Sequence, residues 1–293
     1  MKLFIVANRS KPNVGKALDD WLPWIKERVD VAGLDEDCAT NLASVDCDVI
    51  LALGGDGTLL AAARRLNGRA IPLMGVNFGR LGFLASFSPE KFKKDFDRLV
   101  AGQLPTSSRL VLEASVIGAA DSVDCADPAK VLARRRWHAT ALNDAVITAG
   151  PPFHMISLEI QADGDGGVSF FGDGVIVATP SGSTAYNISA GGPIVDNGVE
   201  AFCITPICPH SLSFRPVVVS SRNNIVVIAS KVNAGTTLFC DGQETAKLSE
   251  GDKVVIRRSP NDVRLIENPQ AMQWRNLAEK LHWAATPRYN RQD

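Results

Sequence analysis

The chain has little that would mark a metalloenzyme, a secreted scaffold or a membrane protein. Its four histidines never fall in an H-x-x-x-H spacing, which argues against a zinc hydrolase. Its six cysteines, Cys38, Cys47, Cys125, Cys203, Cys208 and Cys240, include no C-x-x-C pair, so they read as free and mostly buried thiols, with no metal site and no disulfide. No apolar run approaches the length of a bilayer span, and the run before Asn8 and Arg9 is too short for a signal-peptide core. The expectation is a cytoplasmic protein that engages no membrane. A net charge of −1 supplies no electrostatic reason to bind nucleic acid. A Walker loop is missing as well, because no Gly-Lys-Ser/Thr run closes any turn.

What is present suits a globular protein of two domains: 293 residues, 45% hydrophobic and 22% charged, enough to bury a full core. Up to residue 104, apolar runs ("LFIVAN", "DVILAL", "IPLMGV") alternate with helix-like segments at 17–30, after Thr58, and at "SPEKFKKDFDRLV", where Ser88 and Pro89 make a helix start. That alternation predicts a parallel sheet covered by helices. Residues 105–270 change to strands separated by Gly, Pro, Asn and Asp turns, such as "GVIVATP" and "PVVVSSRNNIVVIAS", and predict a second, β-rich domain. The last segment, 271–293, returns to helical spacing and is expected to pack back on the first domain. Residues 118–136 read as a solvent loop ending in an exposed arginine face, and "DGDGG" at 163–167 as a hairpin turn.

The stretch "LALGGDGTLL" at 51–60 carries the first chemical signal. A buried strand, a glycine turn and a helix start in that order aim unpaired N–H groups and the positive end of a helix dipole at one place, which suits phosphate. Gly54, Gly55 and Gly57 let a ligand approach the backbone closely. Leu60 stands where a dinucleotide fingerprint needs its third glycine, so this is a different phosphate device. Asp56 is the odd member: it is either a base beside the phosphates or merely the cap of the helix.

Five further segments are unusual for packing alone. "NFGRLGF" at 77–83 offers a loop able to press a ring on a flat ligand. In "TALNDAVI", Asn143 and Asp144 fall in one apolar strand, where adjacent side chains face opposite ways and at least one would be buried and in need of a partner. "GDGVIVATPSGSTAYNISAGGPIV" at 172–195 crowds hydroxyls and one tyrosine into a turn that can read a base and ribose. "ICPHSL" and "CDGQ" place polar groups at strand ends.

Together, with "ICPHSLSFRP" at 207–216 and "DGQ" at 241–243, these motifs closely resemble the NAD kinase family over nearly the whole chain. The resemblance implies an α/β domain of Rossmann-like, phosphofructokinase-like type beside a β-sandwich domain, with NAD in the cleft between them. It implies transfer of the γ-phosphoryl group of ATP, in some members of inorganic polyphosphate, to the 2′-hydroxyl of the adenosine ribose, with Mg²⁺ accompanying the donor and no metal ligands assigned in the protein. By residue, Asp56 is implied as base, with Gly55 and Gly57 at the phosphates and Phe83 lining the pocket. Asn143 and Asp144 match the adenosine pair; Thr184, Ala185, Tyr186, Asn187, Ile188 and Ser189 match the adenine and ribose segment; His154 and Gln243 match further NAD contacts. Asp173 matches a residue that reaches NAD on a neighbouring subunit, which implies a homodimer or homotetramer. Phe171 stands where a basic or polar residue is common. Two rival readings remain: a sensor that binds NAD or NADP without turnover, which needs no base at Asp56, and a lipid kinase sharing "GGDGT", which needs a greasier pocket.

Overall fold

The computed structural model describes residues 1–11, 13–79, 82–121, 124–164, 166–211, 213–270 and 277–278. The first sheet uses β1 (Lys2–Ala7), β2 (Asp30–Asp35), β3 (Val49–Leu53), β4 (Leu73–Val76) and β5 (Thr106–Arg109), with helices α1 (Val14–Lys26), α2 (Asp56–Arg65) and α3 (Pro89–Val100) between them. The second half contains β6 (Leu112–Ile117), α4 (Pro128–Arg134), β7 (Arg135–Ala141), β8 (Asp144–Thr148), β9 (Ile156–Ala162), β10 (Val168–Gly172), β11 (Gly174–Ala178), α5 (Tyr186–Ser189), β12 (Ala201–Ile207), β13 (Val217–Ser220), β14 (Ile225–Lys231), β15 (Thr237–Cys240), β16 (Glu244–Lys247), β17 (Lys253–Arg258) and β18 (Val263–Ile266).

The first sheet runs in the order β2-β1-β3-β4-β18-β5, parallel except where β18 meets β5. All five residues of β3 are buried, as a continuous apolar run requires when helices cover both faces. The Ser88 hydroxyl accepts the Lys91 N–H at the start of α3, and the helix then buries Phe92, Phe96 and Leu99 on one face. On α1, Trp21 stacks 5.0 Å from Phe92 and Trp24 lies 4.5 Å from Phe96, so the two helices share an aromatic seam.

The other two sheets are antiparallel, β10-β9-β14-β17-β6-β7 and β13-β12-β11-β8-β15-β16. Alternate residues of each face inward: Leu112, Ala114 and Val116 of β6 and Val254 and Ile256 of β17 meet Ala145 and Ile147 of β8, Val175 and Val177 of β11 and Phe202 of β12 in one core. Each fully buried Val, Leu, Ile or Phe there is worth about 1.5–3 kcal/mol relative to exposure.

Several elements differ from the sequence expectation. β2, "DVAGLD", escaped notice because it is a half-exposed edge strand without an apolar run. β5 and β18 lie within 105–270 yet complete the first sheet, so the chain crosses to the β sandwich after β5 and returns before β18. The two crossings touch where the Ser259 N–H donates to the Val111 carbonyl at 2.8 Å. The expected loop at 118–136 contains α4, capped by Asp127 and anchored by buried Val131. Of its arginines, Arg136 is tied to the Lys247 carbonyl and to Asp252, at 2.7 and 2.6 Å. Asn143 and Asp144 do not share one strand: β7 ends at Ala141, and β8 starts at Asp144 in the other sheet. The "DGDGG" stretch joins antiparallel β9 and β10, although Asp165 lies outside the described residues. The helical reading of the C-terminal segment also lies outside them, apart from Leu277, which is buried, and Ala278.

Candidate functional site

The glycine turn after β3 delivers Asp56 to the first turn of α2, with Gly55 as the preceding cap residue. A carboxylate there is favoured by the helix dipole. Its hydrogen bonds run elsewhere, however. Oδ2 accepts the Phe83 N–H at 2.9 Å, and Oδ1 accepts those of Ala85 at 2.9 Å and Leu84 at 3.3 Å. The carboxylate is thus fixed against the 82–85 segment and does not cap its own helix. Gly82 is what permits this approach: a Cβ there would sit 1.8 Å from Asp56 Oδ1.

Across the cleft, Asp241 and Gly242 form the tip of the β15–β16 hairpin, both with positive φ, the geometry that an Asp-Gly pair favours. The Asp241 carboxylate accepts the N–H groups of Leu142, Asn143 and Asp144 at 2.9, 2.7 and 3.2 Å, and so shapes the break between β7 and β8. The next residue, Gln243, reaches the first domain. Its Nε2 donates to the Gly57 carbonyl at 3.0 Å, and its Oε1 accepts from Arg64 Nη1 at 2.7 Å, while Arg64 also pairs with Glu244 at 3.1 Å. One turn therefore grips both the 142–144 segment and the start of α2.

The hydroxyl-rich turn packs on that same segment. The Thr179 N–H donates to the Asn143 carbonyl at 2.8 Å and its hydroxyl to the Leu142 carbonyl at 2.5 Å. A Cβ at 182 would lie 2.0 Å from the Asn143 carbonyl oxygen, so only glycine fits. Most of the hydroxyls are engaged internally: Ser183 donates to the Pro180 carbonyl, Thr184 to the Ser181 carbonyl and Ser181 to Asn197. Asn187, expected among the nucleotide contacts, is fully buried; its Nδ2 donates to the Ser183 and Pro193 carbonyls and its Oδ1 accepts from Thr205. Its side chain builds the turn instead of facing the cleft.

Asn143, Asp144, Ala185 and Tyr186 line one cleft of about 370 Å³, together with Phe239 and Asp241. Phe83 and Thr184 line a neighbouring cleft of about 350 Å³ that also holds the ion-paired Arg109 and Glu267. Tyr186 is 44% exposed, which leaves its ring free to meet a flat partner. Asn143 Oδ1 is buried without a hydrogen-bond partner, and Asp144 lies beside Asp241. Burial, helped by the Asp241 carboxylate, pushes the Asp144 carboxyl up to about 7. Burial raises Asp241 too, against the pull of its three N–H donors.

Other predicted residues stand apart. Ile188 is half-buried and Ser189 exposed on α5. His154 is exposed on the turn before β9, its carbonyl accepting from Asn233, and it lines neither cleft. Asp173 is exposed between β10 and β11, next to Cys208. Sequence reasoning picked Gln243 from "DGQ" but passed over Asp241, although the Asp-Gly pair was a hairpin signal. Arg64 had no signal beyond its place on a helix. None of the six cysteines forms a disulfide; Cys47, Cys203 and Cys240 are buried, Cys38 and Cys125 half-buried and Cys208 exposed.

Comparison with known proteins bears on both halves. A family model described as the ATP-NAD kinase N-terminal domain matches residues 19–104, and one described as the ATP-NAD kinase C-terminal domain matches 142–268. An NAD kinase of Desulforamulus reducens is 37% identical over 94% of this chain and 96% of its own length. One of Rhodopirellula baltica is 33% identical over 97% and 87%. Among solved structures, an NAD kinase from Archaeoglobus fulgidus in complex with ATP superposes with a TM-score of 0.75 at 28% identity, covering 96% of this chain and 99% of its own. Yeast NADH kinase complexed with NADH reaches a TM-score of 0.85 at 24% identity over 98% and 88%, which speaks to the fold.

Proposed function

This chain belongs to the NAD kinase family, and we propose on that premise that Asp56 is the base in its reaction, the phosphorylation of NAD to NADP with ATP. The observation that carries the assignment is the grip of three backbone N–H groups on the Asp56 carboxylate. A group that only capped a helix would turn to its own first-turn amides. A group held rigidly at the mouth of a phosphate cradle is oriented toward a substrate hydroxyl.

The reading divides the work as follows. Gly55 and Gly57 admit the phosphates at the start of α2, whose dipole favours them. Asn143 and Asp144 hold the adenosine, with the unpartnered Asn143 Oδ1 as an acceptor for its exocyclic amine. Thr184, Ala185 and Tyr186 cover adenine and ribose, Phe83 closes the first-domain side, and Gln243 locks the two domains around them. His154, Ile188 and Ser189 serve as outer contacts. A carboxylate is a weak base for an alcohol, so proton transfer to Asp56 comes late, as the ribose oxygen bonds to phosphorus.

Among the described residues no cluster of three or more His, Cys, Asp or Glu could hold a metal ion. On this reading Mg²⁺ would arrive on the donor's own phosphates, since this cation commonly keeps water and phosphate ligands. Bound there, it neutralises charge on the transferring group. Inorganic polyphosphate, the donor for some members of the family, is the parallel donor in the assay below.

Asp173 is assigned to the site of a neighbouring copy in a homodimer or homotetramer. Supporting this, exposed Val168 and Phe171 lie on edge strand β10 and exposed Val217 and Val218 on edge strand β13. No helix among the described residues is long and apolar enough to cross a membrane, and the free thiols fit a reducing cytoplasm.

The test is NADP formation from NAD and MgATP, read by an NADP-specific dehydrogenase, with polyphosphate as parallel donor and Asp56→Asn as control. Turnover that vanishes in the control supports the assignment. Tight NAD binding without turnover in the native protein would favour the sensor reading.

A further inference from the structure

A second-domain groove lies away from the nucleotide clefts. It holds about 640 Å³ on the outer face of the β6–β17 sheet, whereas Asn143, Asp144 and Tyr186 serve the outer side of the opposite sheet. One wall is α4, which the 118–136 segment contributes; another is the turn at 221–224 between β13 and β14. Buried Val131 and Val255 belong to the apolar cluster that holds α4 on the sheet.

Its lining is strongly cationic. Arg135 of β7, Arg222 of the turn, and Arg257 and Arg258 at the end of β17 converge on it, with Glu113 as the sole carboxylate. Arg258 is already committed to Glu200 and Asp262, and Arg222 lies at the limit of pairing with Glu200, at 4.0 Å. Among the described residues, neither Arg135 nor Arg257 forms a salt bridge. Arg257 is 8% exposed; its Nη2 donates to the Cys125 carbonyl, and its Nε is buried with no partner. Ser221, 1% exposed, likewise keeps a buried hydroxyl without a partner.

Buried donors are costly to leave unpaired, and guanidinium groups are poorly used without an anion. We propose that this groove is a binding site for a small phosphorylated molecule, held by Arg135, Arg222, Arg257 and Ser221. Planar guanidinium forks match phosphate oxygens in pairs, and hydroxyls add a further donor. The volume falls within the range of small-molecule sites and exceeds that needed for a single phosphate group. Ser259, which also lines the groove, is the residue whose N–H ties the two chain crossings together at Val111. A ligand seated here rests against the joint between the domains.

Inorganic pyrophosphate is the probe, titrated calorimetrically with NAD and a non-hydrolysable ATP analogue filling the catalytic cleft. The native protein should bind one equivalent. Replacing Arg135→Gln and Arg222→Gln together should weaken that binding at least 10-fold while kcat and the KM values for NAD and ATP stay unchanged. Arg222 has a largely exposed side chain and Arg135 is only half-buried, so the double variant should melt like the native protein. Arg257→Lys, which keeps the charge but loses the fork, should also bind more weakly. Absence of pyrophosphate binding to the native protein, or an isotherm unchanged in the double variant, would overturn the proposal.

Discussion

The side-chain amide of Gln243 donates to the carbonyl of Gly57 at 3.0 Å, joining the tip of a sandwich hairpin to the first turn of α2. The bond ties together residues 186 positions apart in the chain, one from each half of the fold. Gln243→Ala removes this bond and strands one Arg64 donor. The expected result is a several-fold rise in KM for NAD with a stability loss of about 1 kcal/mol, read by kinetics and a urea melt. Unchanged KM would show that the tie does not set cleft geometry.

Asp56→Asn should retain NAD affinity and lower kcat on the order of 10²–10⁴-fold, the usual worth of a positioned base. Single-turnover assays beside NAD titration separate the two. Turnover near the native rate would remove Asp56 from the role of base.

Asp144 makes a pH prediction. Its folded pKa, about 7, lies above that of an unfolded aspartate, so the folded state holds the proton more tightly. Stability from this group is complete below the unfolded pKa and is lost as pH rises toward 7. Asp144→Asn should therefore melt at a similar temperature near pH 4 and increasingly above the native protein from pH 5 to 8. A constant difference across that range would contradict the buried-pair explanation.

Tyr186→Ala should weaken NAD binding by about 1–3 kcal/mol if the exposed ring stacks on adenine. Because the ring is 44% exposed, the melting temperature should hardly move. Equal NAD affinity would place the adenine elsewhere.

Phe171 is 54% exposed on an edge strand, where the proposed homo-oligomer would cover it. Phe171→Glu should shift the protein to a smaller species in sedimentation and reduce activity, if Asp173 acts across the same contact. An unchanged sedimentation coefficient would move the interface away from β10.

Strands β1, β3 and β4 and helix α3 were legible because their signals are local: unbroken apolar runs for strands covered on both faces, and a serine cap with proline ahead of an amphipathic stretch. The "GGDGT" turn was legible for the same reason, since a strand, glycines and a helix start are contiguous. β2 and β5 were not, because half-exposed and polar edge strands need no apolar pattern of their own and take their conformation from the neighbour that pairs with them.

For the site, residue types sufficed to mark a glycine turn, a carboxylate and a hydroxyl-rich turn, each encoded within a few consecutive residues. Their assembly came from contacts distant in sequence. Asp56 turns to the 83–85 amides, Asp241 gathers 142–144, and Asn187 spends its amide inside the turn. Local composition states which groups can donate or accept. Which partner each one finds depends on the chain crossing twice between two domains, because only that crossing brings the hairpin at 241–243 against both the LND segment and α2.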